Sequence, residues 1–264
     1  MLRFFQHIRQ SLIKTDNVRR YLLYAIGEIL LVGIGILLAL QVNIWNEERK
    51  DQLFLDFALS ELYEDLSRDM ELIYSGIEPR LQSREESVEK VFQIVLSGRE
   101  FSEDEFVESY LLSDRGFNFT PIFGSYETLT QKGMDKLEDK ELRKLIIDFY
   151  EYYLPRAVDF IHREDAERKW YTREMESEFL ERYLIDSEDN SPEINVRLKD
   201  TDILKSQALL ELLDMHADDT EHKRRRLEAI KRRYYTLMDK MEAELKARNV
   251  AYVAFDPANV IPDF

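Results

Sequence analysis

Apolar residues are distributed along the chain in two regimes. From Tyr21 to Val42, YLLYAIGEILLVGIGILLALQV, 22 positions hold one charge, Glu28, and one amide, Gln41. As a helix this run covers about 33 Å, enough for a hydrocarbon core of about 30 Å, so it predicts a transmembrane helix over 18–45. Beyond it, apolar positions recur at spacings of three and four. Leu55, Leu59, Leu62, Leu66, Ile73 and Ile77 form such a seam, broken at Asp69. That spacing predicts a helix packed in coiled-coil fashion. Gly76 is the first Gly or Pro after the span, so the span should run straight on into this helix. Leu81, Val88, Phe92 and Val95 continue the series past Pro79, where a kink is expected, until Ser97 and Gly98 stop it.

The polar punctuation places the remaining elements. Ser102 with Glu105 makes a capping box ahead of a short helix to about Leu112, and Asp114 to Pro121 reads as a loop. Tyr126 to Lys132 predicts a second short helix with Gly133 as its C-cap. A long helix should run from near Asp139 to about Ile185, with Leu142, Ile146, Phe149, Tyr153, Phe160, Tyr171 and Met175 inward and a kink at Pro155. Asp186 to Pro192 is an acidic turn, and Glu193 to Lys199 a short extended segment. The last long helix, about Asp202 to Lys246, carries Leu209, Leu212, Leu227, Ile230, Leu237, Met241 and Leu245 on its seam.

The pattern therefore predicts an all-α protein: one N-terminal transmembrane helix continuing into an elongated antiparallel bundle of three long helices. Its expected divisions are a basic amphipathic cytoplasmic segment (1–17), the span (18–45), an extracytoplasmic bundle (46–249) and a tail (250–264) packed along the bundle. Up-and-down packing would put 98–138 at a membrane-distal tip, about 70 Å out. The acidic turn would then face the bilayer and the C-terminus would return to the distal end.

Charge adds a direction. Leu2, Phe4, Phe5, Ile8, Leu12 and Ile13 share a face of a basic amphipathic segment. Five basic residues, Arg3, Arg9, Lys14, Arg19 and Arg20, precede the span, and only Arg49 and Lys50 closely follow it. The positive-inside rule then places the N-terminus in the cytoplasm and the body outside, in the periplasm of a bacterium. Tyr21 and Tyr24 at one end and Trp45 at the other form the aromatic belt. No small-x-small cleavage site follows the apolar run, so a retained anchor is expected.

Residues 1–43 hold five basic side chains against Asp16 and Glu28, while the whole chain carries −16, so the remainder carries −19. A body this acidic does not suit nucleic acid. The absence of cysteine excludes disulfides, thiolate metal sites and a cysteine nucleophile.

The stretch YAIGEILLVGIGILLALQVNIWNEERK after a basic amphipathic start resembles the N-terminal signature of an uncharacterised family of bacterial single-span membrane proteins. Tyr126, Glu127, Thr128, Leu129, Gly133, Leu142, Arg143 and Tyr150 are similar to that family's mid-chain segment. Asn43 and Ile44 stand where the family often has two Asn before the Trp. The resemblance implies an anchored helical protein and supplies no activity.

Candidate functional residues are few. Glu28, Val32, Gly35 and Ala39 lie on one helical stripe. Gly35 and Ala39 form a small-xxx-small pair that lets helices approach closely in lipid, with Glu28 placed to hydrogen-bond across the contact. This pattern predicts a homo-oligomer or an unidentified membrane or periplasmic protein partner. Folding the chain about residues 118 and 193 predicts one polar layer across the bundle, made of Asp69, Glu164, Glu167, Asp219 and Lys223 with His216 nearby, which reads as a register-setting network. Asp159 with His162, and Asp219 with His222, have the i, i+3 spacing of bundle di-metal sites. His162, however, is displaced by about 160° from the seam and should face solvent. The basic run Lys223 to Arg226 with Lys231, Arg232 and Arg233 is expected to pair with the acidic surface. Asp186, Glu188, Asp189 and Asn190 lack the Gly and Glu of a calcium loop.

No phosphate loop, zinc-protease motif or nucleophile elbow occurs. The expectation is a non-enzymatic, cofactor-free interaction, scaffold or sensory module anchored in the lipid bilayer of a bacterial inner membrane. The alternatives are an ion-coupled, motor-like subunit using Glu28 and a metal-dependent bundle enzyme.

Overall fold

The computed structural model describes residues 18–97, 100–186, 192–199 and 206–262. The chain is all-α with one small two-stranded sheet among the described residues, and it divides into two compact units, Met1–Leu55 and Asp56–Phe264. Helix α1, Val18–Leu72, runs without a break from the apolar stretch into the second unit. A π turn, Ile73–Ile77, joins it to α2, Glu78–Ser97. Helix α3 is Glu103–Ser113, α4 Gly124–Lys132 and α5 Lys140–Ile147. A second π turn, Asp148–Tyr153, leads into α6, Leu154–Phe179. The antiparallel strands β1, Leu180–Asp186, and β2, Pro192–Leu198, follow, and α7 is Gln207–Ala247.

Local chemistry sets these boundaries. Ser102 accepts from the Glu105 amide, Asp139 from the Glu141 and Leu142 amides, and Ser206 from the Leu209 amide, so each of these three helix starts has one or two orphan donors capped. The two π turns stand just ahead of Pro79 and Pro155. A proline lacks the amide for an i→i−4 bond and its ring crowds the carbonyl of residue i−4. In each case the residue before the proline instead donates to the carbonyl five back, Glu78 to Ile73 and Leu154 to Phe149. The kinks expected at the prolines take this form.

The second π turn has a larger effect on packing, because it shifts the helix phase by one residue. The inward line expected to continue as Tyr153, Phe160, Tyr171 and Met175 is occupied by Leu154, Ile161, Thr172 and Glu176, which are 0–5% exposed, while Tyr171 is 67% exposed. The other two long helices keep their expected seams. Leu59, Leu62, Leu66, Ile73 and Ile77 are buried, as are Leu209, Leu212, Leu227, Ile230, Leu237, Met241 and Leu245.

The topology within the second unit also differs from an up-down-up bundle. Helix α7 runs antiparallel to α1 and α2, with Arg248 at Asp56, Glu242 at Tyr63, Tyr234 at Asp69 and Asp219 at Arg84. It is antiparallel to α5 and α6 as well, with Lys240 at Glu141, Tyr234 against Phe149 and Asp219 at Arg168. The first two long helices are therefore parallel. The stretch from Asp114 to Phe123 is what reverses the chain between them, because it returns along the bundle rather than capping it. Phe117 and Phe119 are buried, Phe119 packs edge-on against Tyr234, and the Ile122 and Ser125 amides donate to Asp69 and Asp65.

It follows that the β-hairpin sits at the Ser97 end, where Phe179, Leu180 and Leu198 share a core with Val91, Ile94, Phe106 and Leu209. Helix α6 stops at Phe179, six residues short of the expected Ile185, because LERYLID pairs as a strand with Leu180 opposite Leu198 and Asp186 opposite Pro192. Residues 187–191 of the acidic turn, and the amphipathic segment 1–17, lie outside the described residues. The tail packs along the bundle at the Asp56 end, with Tyr252 edge-on to Tyr63 and the Phe255 amide donating to the Tyr63 hydroxyl.

Candidate functional site

The expected single polar layer is resolved into two. In the first, Asp219 of α7 is the centre. Arg84, 1% exposed, reaches its Oδ2 through Nη2 and donates through Nε to the Thr220 hydroxyl at 2.7 Å. Lys223 Nζ lies 2.9 Å and Arg168 Nε 3.2 Å from the same oxygen. Arg168 also donates to the Asp114 carbonyl at 3.1 Å and pairs through Nη1 with the Asp114 carboxylate. His216 is fully buried, bonded through Nδ1 to the Ser113 hydroxyl at 3.0 Å, with Nε2 3.4 Å from Asp114 Oδ1.

Arg84, Lys223 and Arg168, all buried, thus meet on the Asp219 carboxylate, and the titrations respond. Burial alone would raise the Asp219 carboxyl, but Arg84, Lys223 and Arg168 outweigh it and hold it below the ordinary value. Burial, reinforced by Arg168 and Arg84, lowers His216 to about 3, so its imidazole is neutral at physiological pH.

The second layer centres on Asp69, 1% exposed, whose carboxylate accepts from the Ile122 amide at 3.1 Å and the Tyr234 hydroxyl at 2.8 Å. Burial outweighs both hydrogen bonds and raises this carboxyl to about 7. Around it lie Tyr150, stacked on Tyr126 at 4.5 Å, and Phe149, edge-on to Tyr234 at 4.9 Å.

Of the residues proposed for one layer, the structure brings Asp219 and Lys223 together and places Asp69 elsewhere. Glu167 is exposed, because the π turn puts Arg168 on the inward line in its stead. The Glu164 side chain lies outside the described residues. Sequence reasoning missed Arg84, Arg168, Asp114 and Thr220. Arg84 did carry a signal: it stands in phase between Leu81 and Val88, a charge on an apolar stripe. Asp159, His162 and His222 are exposed, and among the described residues no group of three or more His, Asp or Glu is placed to hold a metal ion.

In the first unit Tyr24, Glu28, Gly35, Ala39 and Trp45 are all exposed on α1, and the Tyr21 side chain lies outside the described residues. A Cβ added at Gly35 would meet nothing within 4 Å. The apolar part of α1 reaches a mean hydropathy of 2.4 with none of it buried in the protein.

Together these features define an all-α protein in which one helix near the N-terminus is long and apolar enough to cross a membrane, followed by a helical body with two interior polar layers. The chain belongs to the DUF6090 family, a family of unknown function whose model matches residues 28–170, from Glu28 in the apolar helix to just past Arg168 in the charged layer. No curated protein and no solved structure matches it.

Proposed function

We propose that the protein is a single-pass, membrane-anchored interaction or sensory module of a bacterial inner membrane, with its N-terminus in the cytoplasm and its helical body outside. The observation that carries this reading is α1 itself. One unbroken helix, Val18–Leu72, holds both an unburied stretch of membrane hydropathy and the first seam of the folded body. In water such a stretch would be an exposed apolar surface far larger than a soluble monomer carries; in lipid it costs nothing. The Glu28, Gly35 and Ala39 stripe supplies the face on which a second copy or a membrane partner associates. The body supplies a recognition surface rather than a catalytic site.

The test is purification of the full-length protein in mild detergent, with mass spectrometry of co-purifying chains and sizing of the complex. A defined partner or a stable homo-oligomer is the expected result, and a lone monomer overturns the reading. Orientation is checked separately. The chain has no cysteine, so single cysteines at Ser11 and Ser97 report sidedness directly. The Ser97 position should be the one labelled by an impermeant maleimide on intact spheroplasts.

A further inference from the structure

The basic run of α7 does not pair uniformly with acid. Lys223 is held by Asp219, Arg224 by Glu78 and Glu85, Arg225 by Glu221, and Lys231 by Glu78 and Glu228. Arg226, Arg232 and Arg233 have no carboxylate partner among the described residues. Two of the three face one place. Arg226 and Arg233 line a cavity of about 470 Å³ between α7 and the start of α6, together with Arg156, Tyr152, Tyr153 and Phe160. Asp148 is the one carboxylate in its wall.

Two of the guanidinia in the wall are stacked on aromatic rings. The Arg226 guanidinium lies over the Phe160 ring, 3.0 Å from its centroid, and that of Arg233 over Tyr153 at 5.1 Å. Stacking occupies the face of a guanidinium and leaves its in-plane N–H donors for a ligand. The positive charges of Arg233, Arg232 and Arg226 all lower the Tyr153 hydroxyl against the larger upward effect of its burial. The wall exists because of the π turn at Asp148–Tyr153. Its one-residue phase shift takes Tyr153 and Phe160 off the core line, and Leu154 and Ile161 replace them there.

We propose that this cavity binds an organic phosphate, with its phosphoryl oxygens held by Arg226, Arg233 and Arg156 and its body laid against the exposed Tyr152 ring. A single carboxylate has two oxygens and one charge and satisfies one guanidinium fork. A phosphate monoester carries nearly two charges on three oxygens and engages three. The phosphate monoester belongs either to a soluble ester or to a lipid headgroup of the phosphatidic acid type. The site stands on its own geometry, and its failure would leave the anchored-module reading intact.

The experiment is calorimetric titration of the full-length protein in a non-ionic detergent at low salt, with phenyl phosphate and, separately, with dihexanoylphosphatidic acid below its micellar concentration. Saturable binding of at least one probe is expected, weakened by about tenfold or more in the double variant Arg226→Gln, Arg233→Gln. Arg225→Gln removes one positive charge beside Arg226, from a side chain already paired with Glu221, and should leave affinity within about twofold. Tighter binding of phenyl phosphate assigns the soluble ester, and tighter binding of the lipid assigns the headgroup. Absence of binding by both probes overturns the proposal, as does an Arg225→Gln loss equal to that of the double variant.

Discussion

Arg84 and Asp219, 135 residues apart in the chain, meet through a 2.5 Å contact between Nη2 and Oδ2, and the same carboxylate oxygen receives Lys223 and Arg168. The two ends of this contact are unequal. Removing Arg84 leaves Asp219 with two cations; removing the Asp219 charge takes from Arg84, Lys223 and Arg168 the carboxylate that all three contact. Asp219→Asn should therefore cost about 3 kcal/mol or more, and Arg84→Met about 1–2 kcal/mol. Urea unfolding of both variants and of the double variant checks this. The double variant should be less destabilised than the sum by about 0.5–3 kcal/mol. A larger loss for Arg84→Met than for Asp219→Asn would place the centre of the layer elsewhere.

Asp69 gives the body a pH dependence of definite sign. Its carboxyl is raised to about 7 from 3.8 by burial, so between those values the folded protein holds a proton that the unfolded chain has released. That stabilisation is complete below about pH 4 and is lost as pH rises through about 7. Asp69→Asn, which cannot ionise, should unfold at a urea midpoint that gains on the wild type steadily from about pH 4 to about pH 8. A constant gap across that range would show that the carboxyl titrates as it does in water.

The phase shift at Asp148–Tyr153 separates neighbouring positions on α6. Thr172 is 1% exposed and Tyr171 67%. Thr172→Lys should destabilise by about 2–4 kcal/mol, because it drives an ammonium into the interior, and Tyr171→Lys by about 0.5 kcal/mol or less. A helix without the π turn would reverse that order, so thermal melts of the two variants decide the phase.

What could be read from the chain, and what could not, divides along physical lines. The apolar stretch, the seams of the first and last helices and the Ser102 and Asp139 caps depend on residues near in sequence, and they stand where their side chains put them. The second hairpin's register was close, since Arg168 rather than Glu167 meets Asp219. The error of one residue comes from the π turn, which no hydrophobic period announces because Tyr153 and Phe160 look as apolar as Leu154 and Ile161. The parallel course of the first two long helices was hidden for a different reason. Asp114 to Phe123 has the composition of a surface loop, and only the distant partners Asp69, Asp65 and Tyr234 make it a buried return. Asp69 was thereby assigned to the wrong layer.

The face proposed for association in the membrane can be tested at Gly35. Among the described residues nothing lies within 4 Å of a Cβ added there or at Gly33. Gly33 lies about 200° around the helix from Gly35, away from the Glu28 and Ala39 stripe. If two copies pack through that stripe, Gly35→Leu holds the backbones apart and should weaken association in a transmembrane two-hybrid reporter by about tenfold, a loss comparable to 1.4 kcal/mol. Gly33→Leu should leave the signal unchanged. Glu28→Gln keeps a hydrogen-bonding side chain without a charge, so a packing role predicts near-normal association, whereas an ion-coupled role predicts intact assembly with loss of function. Equal signals from Gly35→Leu and Gly33→Leu would remove the stripe as an interface.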